Sequence, residues 1–151
     1  MSIDITLDME VKALLKKIDE LQHKDAKKMK REALTAAGHV VRDAMREEVN
    51  RLPMSASGKT RFKRAIKPVF GKRFKYYDKV AVGAVYKGQK SIAPDAHLFE
   101  LGTAERFTKK GLSRGRIKAT PFMRPGWERS KGEALKKMQS VLSEKFNQHF
   151  K

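Results

Sequence analysis

Between residues 25 and 86 the spacing of apolar residues changes once, and that change restricts the fold more than any other feature. Met29, Ala33, Ala36, Ala37, Val40, Val41, Ala44 and Met45 recur at three- and four-residue intervals, one face of a long helix. Asp25 suits its first turn, and Arg51-Leu52-Pro53 ends it, since proline disfavours helix in the residue before it. Further on, the segment Tyr76–Tyr86 contains KVAVGAVY, rich in valine and suited to a strand. Gly38 on the alanine-rich helix face fits close approach of another segment.

The remaining elements follow by the same reasoning. Ile3, Ile5 and Leu7 alternate as a short strand would, then Val11, Leu14, Leu15, Ile18 and Leu21 take helical spacing behind Asp8. MSASGK at 54–59 reads as a flexible polar loop. Phe62, Ala65, Ile66, Val69 and Phe70 lie in a basic run read as a strand, with GKRFKYYDK as its hairpin connection to the next. Asp95–Gly102 reads as a short helix or turn ending at glycine, Thr103–Arg116 as a long basic loop, and Arg116–Ala119 as an edge strand. Pro125 opens the last helix, whose apolar stripe is Ala134, Leu135, Met138, Val141, Leu142 and Phe146. The expected fold is α+β, with two N-terminal helices and a long C-terminal helix packed on a small antiparallel β-sheet. At 151 residues the chain is read as one domain, 1–151.

Charge narrows the function classes. The net charge is +18, and residues 53–118 hold 17 Lys and Arg against 4 Asp and Glu, a net +13. Lys59, Arg61, Lys63, Arg64, Lys67, Lys72, Arg73 and Lys75 are unbroken by any acid and interleave with Phe62, Phe70, Phe74, Tyr76 and Tyr77. Basic groups beside aromatics track a phosphate backbone and stack bases, or they meet an acidic protein face. Against this stands the plainer reading that the aromatics face the core and the charges face water. The strongest contact candidates are Lys59, Arg61, Lys63, Arg64, Lys72, Arg73 and Lys75.

Enzyme chemistry finds little support. With no cysteine, thiolate metal sites and cysteine nucleophiles are excluded. SASGKT at 55–60 resembles a phosphate-binding loop, but Pro53 stands where the first glycine belongs and the element order is reversed. His97-Leu98-Phe99-Glu100 places an imidazole and a carboxylate one helical turn apart, without the second histidine of a zinc helix. A nuclease reading starting at Pro94-Asp95 fails because Phe107 stands where the lysine after Glu105-Arg106 is needed. No catalytic, cofactor or metal residues are expected. No apolar run approaches the ~18 residues of a membrane span, and MSIDITLDMEV lacks the pattern of a signal peptide. A soluble protein made in a reducing cytoplasm, with no small-molecule substrate, is expected.

Two blocks carry a family likeness. AHLFELGT (96–103) and, past the basic loop, IKATPFMRPGWE (117–128) resemble the head–tail joining, or tail-completion, proteins of long-tailed bacteriophages. Ala96, His97, Glu100, Gly102 and Thr103 match the first block, and Ala119, Pro121, Phe122, Met123, Arg124 and Pro125 match the second. Thr120 stands where arginine is frequent. Gly126-Trp127 replaces a more helical pair, which should loosen the helix start by about 1 kcal/mol against alanine. The resemblance implies a virion structural protein at the neck, a homo-oligomer expected as a hexameric ring. Its implied partners are portal-side head-closure and tail-tube proteins, and nonspecific contact with DNA is open. The alternative is a small basic nucleic-acid-binding protein of prophage or host. Within the blocks, Glu100 and Arg124 are expected to pair through their opposite charges, and the prolines to fix Phe122 and Met123 in the seam between sheet and helix. The loop Thr103–Arg116 is expected to order on assembly.

Overall fold

The computed structural model describes residues 2–6, 16, 23–70, 79–85 and 93–149. Its elements run β1 (Ser2–Thr6), α1 (His23–Glu48), α2 (Ala56–Ala65), β2 (Ile66–Val69), β3 (Lys79–Ala84), α3 (Ala96–Leu101) and α4 (Met123–His149). The strands form one antiparallel sheet of order β1-β3-β2. The expected α+β class therefore holds, with the valine-rich strand at the centre. Ile3 pairs with Val82, and Pro68 pairs with Val82 from the other side. Pro68 is tolerated because β2 is an edge strand, where one row of donors has no ladder to join. The expected helix at 8–21 and hairpin connection at 71–78 lie outside the described residues, Lys16 excepted.

The core is a sandwich of α1 between the sheet and α4. Ala33, Leu34, Ala37, Val41 and Met45 of α1 are buried with Val80 and Val82 of β3 and with Ala134, Met138 and Leu142 of α4. Gly38 marks where α1 meets the sheet, for a Cβ there would lie 2.9 Å from the Cβ of Pro68. The α4 seam steps Met123, Gly126, Ser130, Ala134, Met138, Leu142. Its middle steps, Gly126, Ser130 and Ala134, are small, and the two helices come close at Gly126.

Gly126 corrects the expectation that it merely loosens a helix. A Cβ at this position would stand 2.8 Å from the Cα of Met45 and 2.9 Å from its backbone nitrogen. Backbone cannot move aside as a side-chain tip can, so the glycine is the condition for the crossing. The buried Ser130 hydroxyl donates to the Gly126 carbonyl at 2.6 Å, which gives that small polar residue a partner inside the seam.

The second correction is at residues 54–65. The flexible loop and the first half of the expected strand are helix α2. Ser55 is extended, and its hydroxyl accepts the Gly58 amide at 3.2 Å, an N-cap. Phe62, Ala65 and Ile66 are spaced at three and four, a helical period that the basic and aromatic composition obscured. The helix stops at Ala65 because Lys67 precedes Pro68. Arg46 then closes the end, its guanidinium donating to the carbonyls of Lys63 at 2.8 Å and Ile66 at 3.0 Å.

Candidate functional site

The two sequence blocks meet in space and form a clasp. Phe122 acts as the N-cap of α4, since its carbonyl accepts the first helical bond from Gly126. A helix begins with amides that have no partner in the helix. Here they are Phe122, Met123 and Arg124, while Pro125 has no N–H to satisfy. The Glu100 carboxylate takes all three. Oε2 accepts from Phe122 at 2.8 Å and Met123 at 2.9 Å, and Oε1 accepts from Arg124 at 3.1 Å. Glu100 is buried, and its negative charge sits at the positive end of the α4 dipole.

The backbone completes the clasp. Thr120 donates to the Phe99 carbonyl at 2.7 Å, Thr103 donates to the Ile117 carbonyl at 2.9 Å, and Ile117 donates to the Thr103 hydroxyl at 2.9 Å. Gly102 ends α3 at φ 74, where an L side chain is strained, and a Cβ would stand 2.9 Å from the Ala119 nitrogen. Residues 116–119 run beside α3 as extended backbone and form no strand of the sheet, contrary to expectation. Under the clasp Phe62 of α2 meets Phe99 and Phe122 edge to face, with centroids 5.8 and 5.1 Å apart. Phe62 and Phe122 are wholly buried.

The matched block residues thus come together, with one change of role. Ala96, Glu100, Gly102, Thr103, Phe122 and Pro125 build the clasp, while His97, Pro121 and Arg124 face solvent. Glu100 does not pair with the Arg124 guanidinium. Its oxygens are occupied by backbone amides, one of them that of Arg124 itself. Sequence alone shows side-chain charges and hides amide donors, although Pro125 pointed to a helix start that would leave them free.

Between the ends of the clasp, residues 103–117 form an arm rather than an irregular loop. Arg106 donates to Gly115, Arg114 donates to Arg106 at 2.6 Å, and Thr108 donates to Leu112 at 2.8 Å. Phe107 and Ser113 form a β-bridge, and Glu105 accepts the Ser113 hydroxyl at 2.7 Å. Gly111 and Gly115 take positive φ to turn the ribbon. Arg106, Lys109, Lys110, Arg114 and Arg116 stand exposed along it.

The basic run does not act as the alternating strand its composition implied. Arg61 and Arg64 are exposed on α2, Lys63 is half-buried, and Lys59 donates to the Asn50 carbonyl at 2.8 Å. Phe62 belongs to the core and offers no ring to a base. Phe70 lies half-buried with the Arg31 guanidinium 5.5 Å from its ring centre. Lys72, Arg73 and Lys75 lie outside the described residues.

A second polar cluster ties α4 to α1. Arg129 donates to Glu47 at 2.6 Å and stands 3.3 Å from Glu48, a buried carboxylate that Arg51 also approaches at 2.9 Å. Next to it Arg42 binds both oxygens of Asp43 at 2.8 Å and holds that carboxyl below its ordinary value. Partial burial, aided by the charges of Arg42 and Arg46, lowers the pKa of His39.

This architecture, a three-layer body whose C-terminal helix is capped from a distance and whose charged arm projects from the cap, describes a building block. A model of the bacteriophage HK97 gp10 family, whose members are described as tail components, matches residues 12–102. The chain belongs to this HK97 gp10-like family and is a structural component of a phage tail. The match ends at Gly102, so it includes Glu100 but none of the amides that Glu100 holds. No curated protein and no solved structure matches the chain. Among the described residues no helix is long and apolar enough to cross a membrane.

Proposed function

We propose that the chain completes the tail at the neck and joins it to the head by ring-like self-assembly and docking. The observation that carries this reading is the clasp. Both oxygens of Glu100 are held by backbone amides, so its carboxylate acts to fix the angle of α4. The Glu100 carboxylate and the Thr103 hydroxyl of the first block both bind backbone of the second, which suits a rigid subunit better than a reaction centre. Family membership supports a subunit of the tail, and the resemblance of the blocks to head–tail joining proteins favours the neck within it. A sixfold ring matched to the tail, flanked by head-closure and tail-tube proteins, is the expected assembly.

Arg61 and Arg64, exposed on α2, would meet an acidic neighbour or the passing genome. Electron microscopy of the purified chain, alone and mixed with tails lacking it, tests the proposal. Rings, or densities capping the tail end, are expected. Particles that join head and tail normally with the gene deleted overturn it. Duplex DNA titrated across salt tests the genome contact, which requires affinity that falls steeply as salt rises.

A further inference from the structure

The end of the 103–117 ribbon carries two of the four exposed large apolar side chains among the described residues, the others being Leu101 and Val69. Phe107 is 61% exposed and Leu112 is 68% exposed. The hydrogen bonds and the β-bridge along the ribbon hold them outward in a formed structure, so they are displayed rather than trailing. Arg106, Lys109, Lys110 and Arg114 surround them, and the one acid, Glu105, is tied to Ser113. An apolar tip inside a basic collar calls for an apolar floor inside an acidic rim.

Another face of the same chain offers a partly apolar groove with acids in its lining. A groove of about 490 Å³ opens between α1 and α4. Half-buried Val40 and Ala44 line it, together with Asp43, Glu47 and Glu133. Arg129, also in the wall, is engaged by Glu47 and Glu48, and Arg46 donates to the carbonyls of α2 and β2 while its Nη1 stands 3.8 Å from Asp43. Asp43 is held by Arg42 and Glu47 by Arg129, so Glu133 is the lining carboxylate with no such arginine. Three acids against one arginine in the wall still stand out on a molecule of net charge +18. Because Phe107 and Leu112 are exposed, the tip of a chain does not fill its own groove.

We propose that the ribbon tip of one copy seats in the α1–α4 groove of the next copy. Tip and groove are different patches, so the contact is heterologous, and repeating it closes a ring when the rotation between copies divides a full turn. This inference rests on the self-assembly reading above and names the two surfaces that make it.

The absence of cysteine gives a clean test. Leu112→Cys and Ala44→Cys single variants are mixed at millimolar concentration with an added oxidant, beside a Leu112→Cys and Ser140→Cys control pair. The expected result is a 112–44 disulfide dimer formed at least tenfold faster than the control, and a ladder of oligomers from the Leu112→Cys/Ala44→Cys double variant. Phe107→Ser/Leu112→Ser should keep the parent unfolding transition and weaken self-association at least tenfold. Rings visible by microscopy without the 112–44 bond overturn the proposed contact and leave the ring reading standing. No self-association and no bond, alone or on tails, removes both. Tip variants that self-associate normally but fail to complete tails send the ribbon to another tail protein, which also overturns the contact.

Discussion

Replacing Glu100 by alanine tests the clasp most directly. The variant leaves three amides without their acceptor. Those of Phe122 and Met123 are buried, and that of Arg124 is partly buried and can turn to water. A buried donor left unpaired costs about 1–3 kcal/mol, and losing a helix cap costs about 0.5–2 kcal/mol. These costs overlap, so the combined expectation is about 3–5 kcal/mol. That is about a fifth or more of a total stability of about 5–15 kcal/mol. For a chain of this size the melting midpoint should fall by roughly 6–20 °C. Urea unfolding followed by far-ultraviolet circular dichroism measures the loss. Glu100→Gln keeps one carbonyl oxygen but brings an NH₂ group to the helix start, and should cost about 1–3 kcal/mol. Arg124→Ala should change stability by no more than about 0.5 kcal/mol, because its side chain faces water. If Glu100→Ala unfolds within about 0.5 kcal/mol of the parent, the cap does not hold the helix. If Arg124→Ala costs as much as Glu100→Ala, the side-chain pair rather than the amides carries the clasp.

Other consequences can be checked in the same denaturation assay. Gly126→Ala should destabilise by about 1–3 kcal/mol from forced displacement of Met45, overriding the gain of about 1 kcal/mol in helix propensity; a stabilised variant would refute the close crossing. Phe122→Ala should cost about 3–5 kcal/mol by emptying the space beneath the clasp. Acid should weaken the fold in two small steps. The folded pKa of His39 lies below its ordinary 6.5, so its contribution is present above that value and lost as pH falls through the folded one. Asp43 behaves likewise below 3.8. Urea midpoints between pH 8 and 2 should show both steps, and His39→Gln should remove the first.

The elements readable from the sequence were those whose cause is local. KVAVGA became the central strand, Gly102 ended a short helix, and the stripe from Ala134 to Phe146 marked the last one, because side-chain spacing and punctuation determine these over a few residues. Residues 56–65 failed for a different reason. Their charge and aromatics suggested a strand, whereas the three-and-four spacing of Phe62, Ala65 and Ile66 and the cap at Ser55 had the deciding weight. Gly126 and Glu100 could not be read locally at all. The role of Gly126 depends on the Met45 backbone, 81 positions earlier by its number, and that of Glu100 on three amides beyond the ribbon. Sequence likeness identified the blocks as a pair without revealing that their bond is an acid holding a helix start.

The clasp also decides what the ribbon can do. Gly102 and Ala119 are already in backbone contact, and Thr103 is bonded to Ile117. Everything beyond that junction is an excursion between fixed points. Changing the length of such an excursion costs little, about 0.6 kcal/mol for each doubling of a flexible loop. Arg106 and Arg114 are hydrogen-bonded partners across the ribbon, so Asn-Gly can replace residues 107–113 and close the strands with a two-residue turn. The shortened chain should unfold within about 1 kcal/mol of the parent, since it removes side chains that touch water rather than the core. It should also fail to assemble on tails, because the displayed Phe107 and Leu112 are gone. A loss above about 2 kcal/mol would show that the arm helps hold the body together. Normal tail completion by the shortened chain would show that the arm is not the docking element, leaving the rigid body itself to make the contact.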